Sequence, residues 1–186
     1  MEADAMATLL EAHTGEWTSA DLDLLPDHWK VELLDGTLIV NAQAMPGHIV
    51  AARRLVRLLE DSLGEDHELL PEVMVDLAGA HFAPDIAVAH RDRIDWNATE
   101  QDPATFALVV EVASPSTAAF DRTIKAERYA AAGIPGYWRV ELDPITVIAH
   151  ALRGRTYAEL GRWGAGETVE VDEPVRVSFD PAVLLP

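Results

Sequence analysis

Glu111 is a carboxylate in a place where carboxylates are costly. Residues Phe106-Ala-Leu-Val-Val-Glu111-Val-Ala113 form an apolar run without alternation, the pattern of a central strand covered on both faces. A carboxylate inside that run loses hydration worth several kcal/mol, roughly, unless a cation or hydrogen bonds replace the water. Period-two geometry puts Ala107, Val109, Glu111 and Ala113 on one face and Leu108, Val110 and Val112 on the other. An acid capped by backbone or paired with one arginine would satisfy the pattern, and so would an acid that takes part in chemistry.

Other groups could meet it. Pro84-Asp85 opens the run Phe82–His90; proline lacks the N–H a ladder needs, so it fits only the start of a strand. Asp85 therefore sits at a strand entrance, where Ala87 and Ala89 on the same face leave room for a metal or for a packed helix. Glu32 lies near the start of a hairpin arm, where a glutamate is commonly solvated. His48 falls in the first turn of a helix, as a polar cap or as an active-site group. Asp121 and Lys125 are an i,i+4 pair that contributes only ~0.3–0.5 kcal/mol if exposed. Arg53, Arg54 and Arg57 cluster on one helix flank, either a solvated face or a phosphate contact.

The elements that would position these groups can be read in order. Residues 1–17 are a polar, acidic lead-in, and Thr18–Pro26 reads as a short helix with Thr18 or Ser19 at its N-cap. Asp35-Gly36 between two apolar runs predicts a hairpin over residues 29–41. Ile49, Ala52, Leu55, Val56, Leu59 and Leu63 recur at helical spacing from His48 to a stop at Gly64. Residues 68–76 and 82–90 read as two strands, and residues 91–105 as a polar connection. After the Glu111 strand, Ser114-Pro-Ser-Thr117 reads as a turn with N-cap chemistry. A helix from about Ala118 to Ala132 follows, ending at Gly133, and then a strand from Ile134 to Leu142. Residues 144–186 are expected to form a β-rich extension with strands near 146–152, 155–160, 168–171 and 175–179. No catalytic constellation stands out there.

Composition narrows the classes. The chain has 186 residues, 49% of them apolar, enough for one domain with a real core over residues 1–186. No apolar run approaches a membrane span, and the acidic start argues against a secretory or transit peptide. There is no cysteine, hence no disulfide framework and no thiolate metal site; a cytoplasmic setting is the default expectation. The 32 acidic residues against 14 basic give a formal charge of −18. That weighs against nonspecific nucleic-acid binding, although a local basic groove or bound metal can offset it.

The ordered set is specific. Val31-Glu32-Leu-Leu-Asp-Gly36, His48 at a helix start, Pro84-Asp85, Val110-Glu111-Val-Ala-Ser-Pro-Ser-Thr117, Asp121…Lys125…Tyr129 and Gly133-Ile-Pro-Gly-Tyr137-Trp138 together resemble the PD-(D/E)xK nuclease superfamily. Within it, they resemble the bacterial "putative restriction endonuclease" family of small stand-alone domains. The resemblance covers residues 29–143. It implies an α/β restriction-endonuclease-like fold, a mixed central sheet flanked by helices, here with extra C-terminal β-hairpins. It also implies a metal-dependent endonuclease that hydrolyses nucleic-acid phosphodiester bonds, with DNA the expected substrate and Mg²⁺ or Mn²⁺ the cofactor. By that analogy Asp85 and Glu111 are metal ligands with Glu32 as a third acid, Lys125 is the catalytic cation, and His48 matches a family position.

Carboxylates suit Mg²⁺, which prefers oxygen ligands and keeps several waters. Two positions depart from the usual pattern. The lysine ordinarily found two residues after the strand glutamate is replaced by Ala113, so Lys125 must act from the following helix. A second glutamate common after the hairpin glycine is replaced by Thr37. A symmetric homodimer would place two sites for double-strand cleavage. The reading from a different class is a nuclease fold kept as a weakly active or inactive module in binding or regulation.

Overall fold

The computed structural model describes residues 10, 12–26, 29–113 and 118–186. Strand β8, Phe106–Ala113, is buried at every position, as an uninterrupted apolar run requires, and the structure is layered around it. A fully buried Val, Leu or Phe contributes about 1.5–3 kcal/mol over an exposed one, so this strand alone anchors both cores. Its chain neighbours are β1 (Val31–Leu34), β2 (Thr37–Val40), β3 (His67–Leu70), β4 (Met74–Leu77), β5 (Ala80–Phe82), β6 (Ile86–His90) and β7 (Glu100–Gln101) before it. After it come β9 (Gly136–Leu142), β10 (Ile145–Arg153), β11 (Thr156–Gly164), β12 (Val169–Val171) and β13 (Val177–Phe179). One sheet runs β11-β10-β9-β8-β6-β3, a second β2-β1-β5-β4-β7, and β12-β13 form a separate ribbon. The architecture is mixed α/β: β8 and β9 are parallel, as are β4 and β7, and the other pairs are antiparallel.

Helix α1 is Ser19–Leu22 and helix α2 is Pro46–Glu60. Proline at the first helical position suits α2, since its missing N–H would have no partner there. Its Ala51, Leu55 and Leu59 pack on Leu108, Val110 and Val112 of β8 in the first core, which β12 and β13 close with Val169, Val171, Val177 and Phe179. The opposite face of β8 meets Val75, Leu77, Phe82, Tyr129 and Tyr137. That cover comes from the small sheet, from the helix that follows β8, and from Tyr137 of the neighbouring strand β9. Helix α3 is built of Ala118–Phe120, a π-helical Asp121–Lys125, and Ala126–Ala131. No helix among the described residues is long and apolar enough to cross a membrane.

The Asp-Gly hairpin forms as expected. Asp35 (φ 46°) and Gly36 (φ 74°) both take positive φ, the requirement of a type I′ turn. A Cβ at Gly36 would also meet Glu16 Cβ at 2.7 Å. The turn from Ser114 to Thr117 lies outside the described residues.

Four expectations need correction. The run 68–76 is two strands, β3 and β4, and it breaks at Pro71-Glu72, where Glu72 has φ 52°. The run 82–90 is likewise two strands, β5 and β6, broken at Pro84-Asp85. In each case one half joins the small sheet and the other the large one, so the chain turns a corner between sheets where a proline withholds its N–H. The polar connection 91–105 contains strand β7, too short to show a period. Ala107, assigned by alternation to the face of Glu111, packs in the first core with Leu108. The cause is a β-bulge: Val88 pairs with Leu108 and Ala89 with Phe106, which leaves Ala107 unpaired.

In the C-terminal part, β10 and β11 extend the large sheet. His150 of β10 stacks on Tyr137 at 5.8 Å, with Nδ1 3.2 Å from the Tyr137 carbonyl oxygen. Burial pulls its pKa below 6.5. The unfolded chain therefore binds this proton first as pH falls, and stability drops below pH 6.5. Urea unfolding at about pH 7.5 and about 5.5 is expected to show a smaller acid loss in His150→Gln than in wild type. An identical loss in the two proteins would remove His150 from the pH response.

Candidate active site

The corners between the two sheets open a cleft of about 510 Å³ whose lining includes Glu32, His48, Asp85, Glu111, Asp121 and Lys125. All five residues singled out from the sequence therefore meet here. Asp121, which the sequence reading set only in the Lys125 helix, joins them.

Lys125 is the centre of the arrangement. Its Nζ lies 2.8 Å from Glu32 Oε1 and 3.0 Å from Glu111 Oε1, and 5.5 Å from the Phe82 ring centre. Lys125 is 5% exposed, Glu32 2%, Glu111 4% and Asp121 3%. Neither the exposed i,i+4 pair nor the solvated hairpin glutamate describes these residues. Glu32 faces inward because it alternates with Leu33, which pairs with the outward His81, and shares its face with Leu34, which pairs with the inward Ala80. Burial alone would pull the Lys125 pKa down; Glu111, Glu32 and Asp121 together outweigh it and hold the ammonium charged.

The helix explains how Asp121, Lys125 and Tyr129 all reach this point. In an unbroken α-helix, residues i and i+8 drift roughly 80° apart around the axis. A π turn rotates less per residue and offsets part of that drift, and such turns occur often at functional sites. Tyr129 donates to Glu111 Oε1 at 2.9 Å, and Tyr137 donates to the Asp121 carbonyl at 2.6 Å, fixing the π turn from below.

Glu32 is held on both oxygens. Oε1 also accepts the Ala83 N–H at 2.9 Å, and Oε2 accepts from Asn41 Nδ2 at 3.0 Å. Asp85 Oδ2 accepts the Val112 N–H at 2.7 Å, tying the β6 entrance to β8, and lies 3.2 Å from His48 Nε2. The hydrogen bond to Asp85 raises the His48 pKa above 6.5. Desolvation drives the Glu111 pKa well up, Lys125 opposes that, and Asp85, Asp121 and Glu32 add to it. Tyr129, Asn41 and Asp121 were not foreseen as site residues. The spacing Asp121-x₃-Lys125-x₃-Tyr129 was the available signal, since it repeats one helix face.

Four acids around one lysine and one histidine leave excess negative charge in a buried cleft, and a divalent cation would offset it. Among the described residues the hydrogen bonds at Asp85 fall on Oδ2 and those at Glu111 on Oε1. The donor set fits a hard cation such as Mg²⁺, which takes one or two carboxylates and keeps its waters. Among the described residues these acids do not close into three ligand atoms within 4.8 Å of one another. Glu32, engaged on both oxygens, is placed to hold Lys125.

The chain has two lysines, Lys30 and Lys125, among 14 basic residues, and both line this cleft. Lys30 pairs with Glu72 at the lip. The arginine cluster divides. Arg54 donates to the Val183 carbonyl at 3.1 Å, and Arg53 borders the cleft beside Lys30 and His48.

Residues 19–183 match the family described as "Putative restriction endonuclease" (Uma2). The fold is similar to the crystal structure of "a putative nuclease belonging to DUF820" from Anabaena variabilis ATCC 29413, with a TM-score of 0.72. The two are 16% identical over 90% of this chain and 97% of the other. No curated protein sequence matches. The structural likeness speaks for the fold alone, and the family match spans nearly all of the chain. The chain belongs to the Uma2 "Putative restriction endonuclease" family and carries the restriction-endonuclease-like fold of the PD-(D/E)xK superfamily.

Proposed function

We propose that this protein is a divalent-metal-dependent endonuclease that hydrolyses DNA phosphodiester bonds in the cleft between its two sheets. The observation that carries this reading is Lys125, buried and charged between Glu32 and Glu111 in the cleft that Asp85 and His48 also line. Asp85 and Glu111 would hold the metal, which when bound polarises a phosphoryl oxygen and acidifies a water. Lys125 presents a positive charge where negative charge grows on the phosphate during attack. Glu32 holds that ammonium in place, Tyr129 orients Glu111, and His48 orients Asp85, much as supporting hydrogen bonds fix metal ligands elsewhere. Arg53, together with Lys30 in its pair with Glu72, places cationic side chains at the mouth of the cleft on a chain of formal charge −18. A symmetric homodimer would set two clefts against the two strands of a duplex.

The test is supercoiled plasmid incubated at low salt with wild type and with Asp85→Asn, each in Mg²⁺, Mn²⁺ or EDTA. Nicking that requires metal and disappears in the variant is the expected result. A wild type that leaves the plasmid intact in every metal would overturn DNA hydrolysis and favour a nuclease fold retained for binding. Metal-dependent nicking that survives Asp85→Asn would overturn the assigned ligand.

A further inference from the structure

The small sheet has a second face, and it carries a different cluster. Along β1, β5 and β4, Glu32, Ala80, Phe82, Val75 and Leu77 turn toward the large sheet and its cores. The alternate positions point the other way. Asp76 of β4 stands directly opposite His81 of β5, and Glu100 of β7 stands beside Met74 of β4, two residues from Asp76 on the same face. Three neighbouring strands thus present one aspartate, one histidine and one glutamate to a single point.

The distances are those of a ligand set. His81 Nδ1 lies 3.2 Å from Glu100 Oε2 and 3.8 Å from Asp76 Oδ1, and the three ligand atoms all fall within 4.8 Å of one another. The imidazole is 12% exposed, Glu100 26% and Asp76 61%, so the point is walled on the histidine side and open to solvent on the aspartate side. His81 Nδ1 is itself buried and makes no hydrogen bond. Two carboxylate oxygens lie within 3.8 Å of it, and the nearer, Glu100 Oε2, is not aligned to receive an N–H. An ion pair formed for its own sake would align one of them. A shared cation between the three atoms accounts for a buried nitrogen left without a hydrogen bond close to two carboxylates.

We propose that Asp76, His81 and Glu100 form a second divalent-metal site, separate from the cleft of Lys125. With bonds of about 2.0–2.2 Å to nitrogen and oxygen, ligand atoms around Zn²⁺ stand roughly 3–3.5 Å apart. The triad reaches that spacing with shifts of the exposed Asp76 side chain. An imidazole with two carboxylates suits borderline transition ions such as Zn²⁺ or Co²⁺ over Mg²⁺. Three protein ligands leave further positions to water. The site clips β7, a strand of two residues, to β4 and β5, and so braces the sheet whose inner face presents Glu32. It does not depend on the nuclease reading.

The test uses full-length protein carrying Asp85→Asn and Glu111→Gln, stripped with EDTA and titrated with Zn²⁺ by calorimetry, and with Co²⁺ by visible absorption. One equivalent of each ion is expected to bind, with a Co²⁺ ligand-field band and a rise in melting temperature. Adding His81→Gln is expected to weaken Zn²⁺ binding by more than about 100-fold. Adding Asp76→Asn, at an exposed position that removes no core contact, should weaken it as well. Melting in EDTA checks that each variant folds as its parent does. Absence of saturable Zn²⁺ binding would overturn the site and leave the triad as an ion pair. Unchanged affinity in both His81→Gln and Asp76→Asn would overturn it equally.

Discussion

Lys125→Met is expected to destabilise the metal-free protein by about 3–5 kcal/mol at neutral pH, the cost of breaking a buried ion pair by removing one partner, and to abolish cleavage. Methionine preserves the reach of the side chain. It leaves Glu32 and Glu111, each previously within 3.0 Å of the ammonium, buried and facing the same empty charge position. The sign of the pH dependence follows from Glu111. Its pKa is already above 4.5 through burial, and Lys125 is the group that restrains it; without Lys125 it rises further. A carboxyl whose pKa is raised on folding keeps its full stability below the unfolded value and loses it as pH climbs through the folded one. The deficit of the variant relative to wild type should therefore widen from about pH 5 to about pH 8 in EDTA. Urea unfolding across that range measures it. A deficit below about 1 kcal/mol, or one flat with pH, would mean that the two carboxylates do not depend on this cation.

Glu111→Gln is expected to separate stability from activity. The glutamine oxygen can accept the same hydrogen bonds from Lys125 and Tyr129 that Glu111 Oε1 now receives, while one buried negative charge beside Asp85, Asp121 and Glu32 disappears. Lys125 keeps Glu32 as its partner. The variant should melt higher than wild type in EDTA at about pH 8, by a margin on the order of 1 kcal/mol, and the gain should shrink as pH falls, because burial holds the Glu111 pKa above its ordinary value and protonation removes the buried charge. Metal-dependent nicking should fall at least about 100-fold. The reverse pattern, a less stable protein with activity retained, would show that attraction to Lys125 exceeds the burial cost and that Glu111 does not touch the reaction. Sites of this kind commonly hold charge that the fold alone would be better without.

The sequence was informative where one local rule governed. Asp35-Gly36 could only be a tight turn, Leu55 and Leu59 could only be the inner face of a helix (Ile49, read onto that face, is exposed, and Ala51 is buried in its stead), and an unbroken apolar run around Glu111 could only be central. The site residues were legible as a set because their order along the chain carried the resemblance. The depth at which they sit was not. Glu32 reads as solvated because a hairpin arm looks like an edge, and nothing near it in the chain says that β5, some 50 residues on, pairs along its other side. Lys125 and Asp121 read as surface decoration because an i,i+4 charge pair looks the same on either side of a helix. The splits at Pro71 and Pro84 were hidden for a related reason: each run continues in composition while the chain crosses from one sheet to the other. Strand β7 and the Asp76–His81–Glu100 cluster depend on pairing between strands that have no shared motif.

The π turn at Asp121–Lys125 has a consequence for the lineage of this cleft. A helix with one wide turn holds one more residue than an α-helix spanning the same distance. Winding the same residues as a regular α-helix, with none removed, would carry Asp121 roughly 80° around the axis from Tyr129. Asp121 would then leave the cleft while the helix stayed intact and its overall packing changed little. Where the lysine comes from a helix and not from the strand of the glutamate, its partnership with the acids is set by chain length as much as by residue identity. A chain one residue shorter in this turn would need no wide turn, since seven α-helical steps bring the acid back to within roughly 20° of Tyr129.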